Sequence, residues 1–316
     1  MSKPIGIGLY GANGHQIQGL CAGRNDVRIV GVAAVPPDML PEVKRYGSLA
    51  ELLADEDIDL VSLCSPMRAE QAAHAIACLL AGKHVYAEKP CALTEAALDE
   101  IIAVSAETGK IFREMAGTAF EEPYLSMGEI IRSGQIGRVI QIFAQKSYPY
   151  HDGRPQDENM DGGLLLQVGI HAFRMIEHAA GQAIKDVTAL ETQMGNPLDG
   201  GLRMAATIQM TLENGGVATV LANYLNQRGH GAWGNDHFRV FGEKGFVEST
   251  DGGVKTRLVV GGDDRGALQT RAHVLSYFDM LIQTIQGKGD MPLTLQEELR
   301  PLRAAIRAKA TCGETA

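Results

Sequence analysis

The chain has 316 residues, 45% hydrophobic and 21% charged, more than a single hydrophobic core usually spans, so two domains are expected. A formal net charge of −9 argues against a nucleic-acid binder, which would carry a basic stripe. There is no apolar run of roughly eighteen residues, and "MSKPIGIGLYG" lacks the charged start and cleavage site of a signal peptide, so the chain reads as cytoplasmic, with no membrane partner.

The first 120 residues alternate short apolar runs with helical stretches. "IGIGLYG" reads as a strand, "HQIQGLCAG" as a helix and "VRIVGVAAV" as a strand. "SLAELLADED" is a short helix that Ser48 can cap, and "IDLVSLCSP" is the next strand. "RAEQAAHAIACLLAGK" is a helix closed by Gly82, and "KHVYAEKP" is a strand. The helix "TEAALDEIIAVSAETG" follows, from Thr94 to Gly109. Such alternation implies α/β architecture, a parallel sheet with helices on both faces.

The pattern then changes. The helix "PYLSMGEIIRSG" leads into a long strand, "RVIQIFAQKSYPY". "KDVTALETQM", "LRMAATIQMTL", "GVATVLANYL" and "HFRVFGEKGFVES" are strands separated by hairpin turns such as Glu213-Asn214-Gly215-Gly216. They predict a largely antiparallel sheet. Two helices close the chain, "AHVLSYFDMLIQTIQG" and "LQEELRPLRAAIRAKA", before a short tail that reads as disordered. The expected division is a first domain over 1–120 and a second over 121–316, with the C-terminal helices free to pack back on the first.

Five cysteines (Cys21, Cys64, Cys78, Cys91, Cys312) form no C-x-x-C pair, so neither a disulfide framework nor a zinc knot is expected. His230, Trp233 and His237 in "RGHGAWGNDHF" have no zinc-type spacing, and this stretch reads as a glycine-rich loop with no metal. Arg300, Arg303 and Arg307 share one face of the last helix, read as solvated or at a subunit contact.

Gly6, Gly8 and Gly11 formally satisfy G-x-G-x-x-G, but that register would put a phosphate turn inside the first strand. The nucleotide turn is therefore expected at "GANGHQ", with Gly11, Ala12, Asn13, Gly14 and His15 around a pyrophosphate. Asn13 stands where a second glycine is usual, and asparagine tolerates left-handed geometry. Amides opening the next helix would help to cradle an anion. The second strand ends Ala34-Val35-Pro36-Pro37, with Asp38 late and no arginine ready for a 2′-phosphate, which leaves NAD or NADP open.

Lys89 raises a sharper question, because lysine is rarely fully buried without a partner, yet it ends an apolar strand. With "GANGHQ", "SLCSP", "AGKHVYAEKP" and "DGGLLLQVGIH", the chain resembles the glucose-fructose oxidoreductase/inositol dehydrogenase (Gfo/Idh/MocA) family over nearly its whole length. That resemblance implies a Rossmann-type doubly wound parallel sheet, followed by an α+β domain with a large open-faced, mostly antiparallel sheet. It implies an active site between the two, and NAD(P)-linked oxidation or reduction of sugars, polyols or cyclitols at a secondary hydroxyl or ketone.

The resemblance gives Lys89 a catalytic task, polarising a substrate hydroxyl beyond the carboxyl end of its strand. Glu88 would face the cofactor, Pro90 would fix the turn, and Ser65 and Pro66 would cover the dinucleotide. "DGGLLLQVGIHAFRMIEH" would line the cleft, with Gln167, His171, Arg174 and His178 on one helical face. The family pattern there is glycines, then aspartate, then histidine. Gly162, Gly163 and His171 match it, while Gln167 replaces the aspartate and offers hydrogen bonds but no charge. His171 is the general acid/base candidate, Gln167 a substrate or imidazole contact. Met67, Glu70 and Ala119 also depart from the family. "KSYPYHDGRPQDENMDGG" would supply Tyr148 and Arg154 to the substrate.

The open sheet would need cover, which implies a homo-oligomer, dimer or tetramer. Two other readings compete: a hydrolase or lyase using a tightly bound NAD in transient redox, and a non-catalytic NAD(P)- or ligand-binding protein.

Overall fold

The alternation at the start of the chain builds a six-stranded sheet, seen in a computed structural model that describes residues 3–115 and 117–313. The chain divides into two compact units. In the first, β1 (Ile5–Tyr10), α1 (Gln18–Cys21), β2 (Val27–Ala33), β3 (Lys44–Tyr46) and α2 (Leu49–Leu53) are followed by β4 (Leu60–Leu63), α3 (Gln71–Leu80), β5 (His84–Ala87), α4 (Glu95–Thr108) and β6 (Phe112–Glu114). Every strand pair is parallel, in the order β3-β2-β1-β4-β5-β6. The order reverses between β1 and β4, and open sheets of this kind bind ligands at that switch point.

Local signals placed the helix ends. Ser48 Oγ accepts the Glu51 N–H at 3.2 Å, and Thr94 Oγ1 accepts the Ala97 N–H at 3.2 Å. Each fills one of the unpaired donors at a helix start. Gly6 lies inside β1, where an added Cβ would meet the Asp57 carbonyl oxygen at 1.8 Å. Its glycine serves close packing beneath the sheet, which removes it from the phosphate motif. The first unit also takes in Asn159–Gly162 and Phe278–Leu299. There Phe278 packs against Tyr86, and the Glu298 carboxylate accepts from the Arg113 side chain at 2.9 Å and the Glu114 N–H at 2.7 Å.

The second unit comprises Ala116–Glu158, Gly163–Tyr277 and Arg300–Ala316. Its helix α5 (Tyr124–Arg132) precedes β7 (Val139–Ser147), β8 (Ile184–Thr192), β9 (Ala205–Leu212) and β10 (Val217–Asn223). Then come β11 (His237–Gly242), β12 (Gly245–Thr250), β13 (Lys255–Val260) and β14 (Asp263–Asp264). They form one eight-stranded sheet, β14-β13-β12-β11-β7-β10-β9-β8, antiparallel except where β7 meets β10. Alternation in β9 sorts its faces: Ala206, Ile208, Met210 and Leu212 are buried, while Thr207, Gln209 and Thr211 are exposed.

Several expectations need correction. "HFRVFGEKGFVES" is two strands, and β3, β6, β13 and β14 were not read from the sequence at all. The long helix led by Gly162 and Gly163 is not evenly wound: Leu165–Gly169 and Met175–Ala179 are π-helical, flanking α-helical Ile170–Arg174. Wider winding breaks the 3.6-residue period on which the one-face reading of Gln167 to His178 rested. Arg174, read from the sequence as part of the cleft-lining face, is fully buried. Arg300 is not merely solvated either; it pairs with the buried Glu177 carboxylate, which also accepts the Ile184 N–H at 2.9 Å. The tail expected to be disordered runs past Gly313 and so lies outside the described residues. Among the described residues, no helix is long and apolar enough to cross a membrane, and no group of three or more His, Cys, Asp or Glu side chains is placed to hold a metal.

Candidate active site

The carboxyl edge of the parallel sheet collects the residues singled out around a nucleotide. After β1, Ala12, Gly14 and His15 are exposed at the turn. Gly11 and Gly14 have φ of 73° and 120°, a region open to glycine at little cost. A Cβ on Gly14 would meet the Glu88 carboxylate at 2.6 Å. Asn13 has no positive φ, so its left-handed tolerance goes unused. Its side chain works as a tether instead, donating to the carbonyls of Pro66 (3.1 Å) and Met160. Its own N–H goes to the Cys64 carbonyl at 3.2 Å. The helix expected after the turn is also reduced, since α1 has only four residues. So short a helix adds little macrodipole behind the amides that open it.

Glu88, at the end of β5, is fully buried. One carboxylate oxygen accepts from the His15 N–H at 2.5 Å and meets His15 Nδ1 at 2.9 Å; the other accepts the Lys89 N–H at 2.9 Å. Burial alone would raise its pKa. The His15 hydrogen bond and the charges of Lys89, His15 and Arg68 outweigh burial and hold it at about 2. Lys89 is 2% exposed, and its Nζ lies 3.9 Å from the Glu88 carboxylate. It is thus no surface lysine. Cys91 N–H donates to Glu114 at 2.7 Å, which fixes the chain just past Lys89 and Pro90.

The residues that tie this edge together were missed by sequence reasoning. Arg68 is 1% exposed, and its guanidinium donates to the Asn13 carbonyl at 2.6 Å and to Gln71 Oε1 at 2.5 Å. Gln71 Oε1 also accepts the Ser65 N–H at 3.1 Å, while its Nε2 donates to the Glu88 and Pro90 carbonyls. Gln16 joins β1 to β4 through the Gly11 carbonyl (2.8 Å) and Ser62 Oγ (2.8 Å). Ser65 itself is buried, its hydroxyl 3.0 Å from His74 Nδ1, and Pro66 is exposed. The spacing Arg68-x-x-Gln71 was visible, but nothing in it tells a buried clamp from a solvated helix start. Arg45 was missed as well. No arginine was expected near the end of β2, yet Arg45, in the adjacent β3, donates to the carbonyls of Val35 (2.7 Å) and Pro36 (3.1 Å).

Glu88 makes the first unit acid-sensitive in a calculable way. Its folded pKa of about 2 lies below the ordinary value of 4.5, so the unfolded chain takes up a proton first as pH falls. The resulting stabilisation, about 3 kcal/mol, is complete above pH 4.5 and is lost as pH falls through about 2. Urea unfolding of the Glu88→Gln protein at several pH values should show a shallower acid slope than the unaltered protein. Equal slopes would remove Glu88 as the source.

In the second unit, His171 Nδ1 lies 3.3 Å from Thr118 Oγ1, and both His171 and Gln167 are half-buried. The loop after β7 brings Tyr148 and Arg154 together: the guanidinium sits 3.8 Å from the Tyr224 ring centroid and 6.0 Å from that of Tyr148. Lys146 is buried against Asp236 at 2.5 Å. The cofactor set, with Lys89, therefore falls in the first unit, and His171, Gln167, Tyr148 and Arg154 in the second.

The exposed Ala12–Gly14 edge lies at the switch point, where open parallel sheets take their ligands, and Glu88 already occupies the His15 amide. Residues 5–115 match the model of an oxidoreductase family with an NAD-binding Rossmann fold, and residues 124–248 match that of the GFO/IDH/MocA C-terminal domain. Myo-inositol 2-dehydrogenase of Thermotoga maritima is 26% identical over 258 residues, 77% of this chain and 73% of that protein. Trans-1,2-dihydrobenzene-1,2-diol dehydrogenase of Bos taurus is 31% identical over 140 residues, 44% of this chain and 41% of that one. A solved Thermotoga maritima structure shares the fold with a TM-score of 0.88 at 23% identity, covering 98% of each chain.

Proposed function

This chain belongs to the GFO/IDH/MocA oxidoreductase family, and on that premise we propose that it is an NAD(P)-dependent dehydrogenase acting on a secondary hydroxyl of a ring-shaped polyol, sugar or dihydrodiol. The relatives named for cyclitol and dihydrodiol dehydrogenation favour a ring substrate. The observation that supports the reading most is the 2% exposed Lys89 at the carboxyl end of β5, beside the exposed turn of a switch-point sheet.

The nicotinamide, when bound, supplies the hydride acceptor. Ala12, Asn13 and Gly14 hold the dinucleotide at the β1 turn, with Pro66 across it, Ser65 behind it and Glu88 anchoring His15. Lys89 donates a hydrogen bond to the substrate oxygen and stabilises the negative charge that develops there. His171 takes the hydroxyl proton, Gln167 orients the substrate or the imidazole, and Tyr148 and Arg154 hold the remainder of the ring. Arg45 offers a cation to a 2′-phosphate, which makes NADP a partner to be tested beside NAD. Leu190 and Val217 lie exposed on the uncovered face of the second sheet, and we propose that a further copy of the chain covers them.

Purified protein incubated with NAD or NADP and a panel of cyclitols, sugars and dihydrodiols should reduce the cofactor in proportion to product. Product without net cofactor reduction would replace this reading with transient redox on a bound nucleotide, and binding without turnover would reduce it to a ligand-binding protein.

A further inference from the structure

The loop that the sequence left without a task places Trp233 in company with a distinct chemistry. Trp233 is the sole tryptophan of the chain and is 58% exposed. Its ring centroid lies 6.1 Å from that of Tyr148 at 40° and 6.0 Å from that of His151 at 36°. An exposed indole on a loose loop would mean little, since single exposed apolar side chains are common. This one is held. The buried Asn226 side chain donates to the carbonyls of Ala232 (3.0 Å) and Trp233 (2.9 Å). On the far side of the indole, Asn235 N–H donates to the Ser147 carbonyl at 2.9 Å, and Gln145 donates to the Asn235 carbonyl at 3.0 Å. The protein fixes this backbone on both sides and leaves the ring itself in water.

The charge around the three rings is just as selective. Lys146 is neutralised by Asp236. Arg154 is not: its guanidinium stacks on Tyr224 and donates to the Pro149 carbonyl at 3.1 Å. Among the described residues it makes no ion pair, even with Asp152 two positions away, and its Nε is buried with no hydrogen-bond partner. His151, whose backbone carbonyl accepts the Arg154 N–H at 3.1 Å, has its pKa lowered by burial and by the Arg154 charge. It therefore presents an uncharged ring near neutrality. An unpaired guanidinium beside a fixed aromatic wall suits a planar anion joined to a ring, because arginine binds carboxylates in a fork and aromatic faces take the C–H face of a ring.

We propose that Trp233, Tyr148, His151 and Arg154 form a subsite for a ring that carries a carboxylate, so that the substrate of the dehydrogenase proposed above is a cyclic hydroxy acid. This rests on that reading for its catalytic meaning, while ring binding stands on the second unit alone. Trp233 provides its own reporter, since all tryptophan emission comes from it.

Emission should be followed while the protein is titrated with matched pairs, glucuronate against glucose and quinate against myo-inositol. The acids should perturb emission at about tenfold lower concentration than their neutral counterparts, and Arg154→Gln should erase that difference. In cofactor-reduction assays Trp233→Ala should raise KM for the preferred acid about tenfold with little change in kcat. Equal responses to acid and neutral rings, or none, overturn the subsite, even where neutral rings reduce the cofactor and the dehydrogenase reading survives. Emission that changes with protein concentration but not with any ring also overturns it, assigning the indole to contact between copies. Tight acid binding that never reduces NAD or NADP keeps the subsite and removes the dehydrogenase.

Discussion

A Lys89→Met protein is expected to turn over about a thousandfold more slowly than the unaltered one, while its dinucleotide affinity stays within roughly threefold. Methionine keeps an unbranched apolar stem of similar reach, so packing at this 2% exposed position changes little. What disappears is an ammonium with three donors. At a buried position its attraction for a developing alkoxide is several times stronger than in water. Glu88 keeps its contacts with His15 after the change, so the turn that receives the dinucleotide should stay in place. Steady-state kinetics and cofactor binding on the same preparation separate the roles. Full turnover would end the catalytic assignment, and matching losses of binding and turnover would make Lys89 a cofactor contact.

Why Lys89 could be found in the sequence at all, while its neighbours could not, follows from the range of the forces involved. A strand end followed by Lys-Pro and a Thr94-capped helix is written in consecutive residues, as are the caps at Ser48 and Gly109. The parallel character of the first sheet is legible for the same reason, because apolar runs and helical stretches alternate along the chain. Arg68 and Gln71 depend on partners at Asn13, Glu88 and Pro90, brought close only after three strands have paired. Arg45 reaches the end of β2 because β3 is its neighbour, a pairing too short to read. Asn13 was recognised as a departure but given the wrong geometry. Its side chain is satisfied by carbonyls from two distant segments, so the backbone need not turn left-handed. The π-helical turns around His171 leave the residue spacing of an ordinary helix in the sequence. The stretch around Trp233 lacks zinc-type spacing and reads as a glycine-rich loop, and glycine signals a loop without saying whether other segments pin it.

The second large effect should come from Arg68, a residue with no proposed contact to substrate. Arg68→Met is expected to destabilise the first unit by about 3 to 5 kcal/mol, measured by urea unfolding near neutral pH, because one change leaves several buried groups without partners. The Asn13 carbonyl loses its donor at 2.6 Å, and Gln71 loses the guanidinium that orients its amide between the ends of β4 and β5. Glu88 also loses one of the positive charges that hold its pKa near 2, so the acid limb of stability should move to higher pH. Arg68→Lys keeps the charge but cannot reproduce the planar fork, and should fall between the two. That ordering separates the electrostatic part of the loss from the geometric part. Should Arg68→Met cost under about 1 kcal/mol, the value of an ordinary exposed pair, the guanidinium is not what binds the three strand ends together, and the placement of Glu88 and Lys89 must come from the sheet alone.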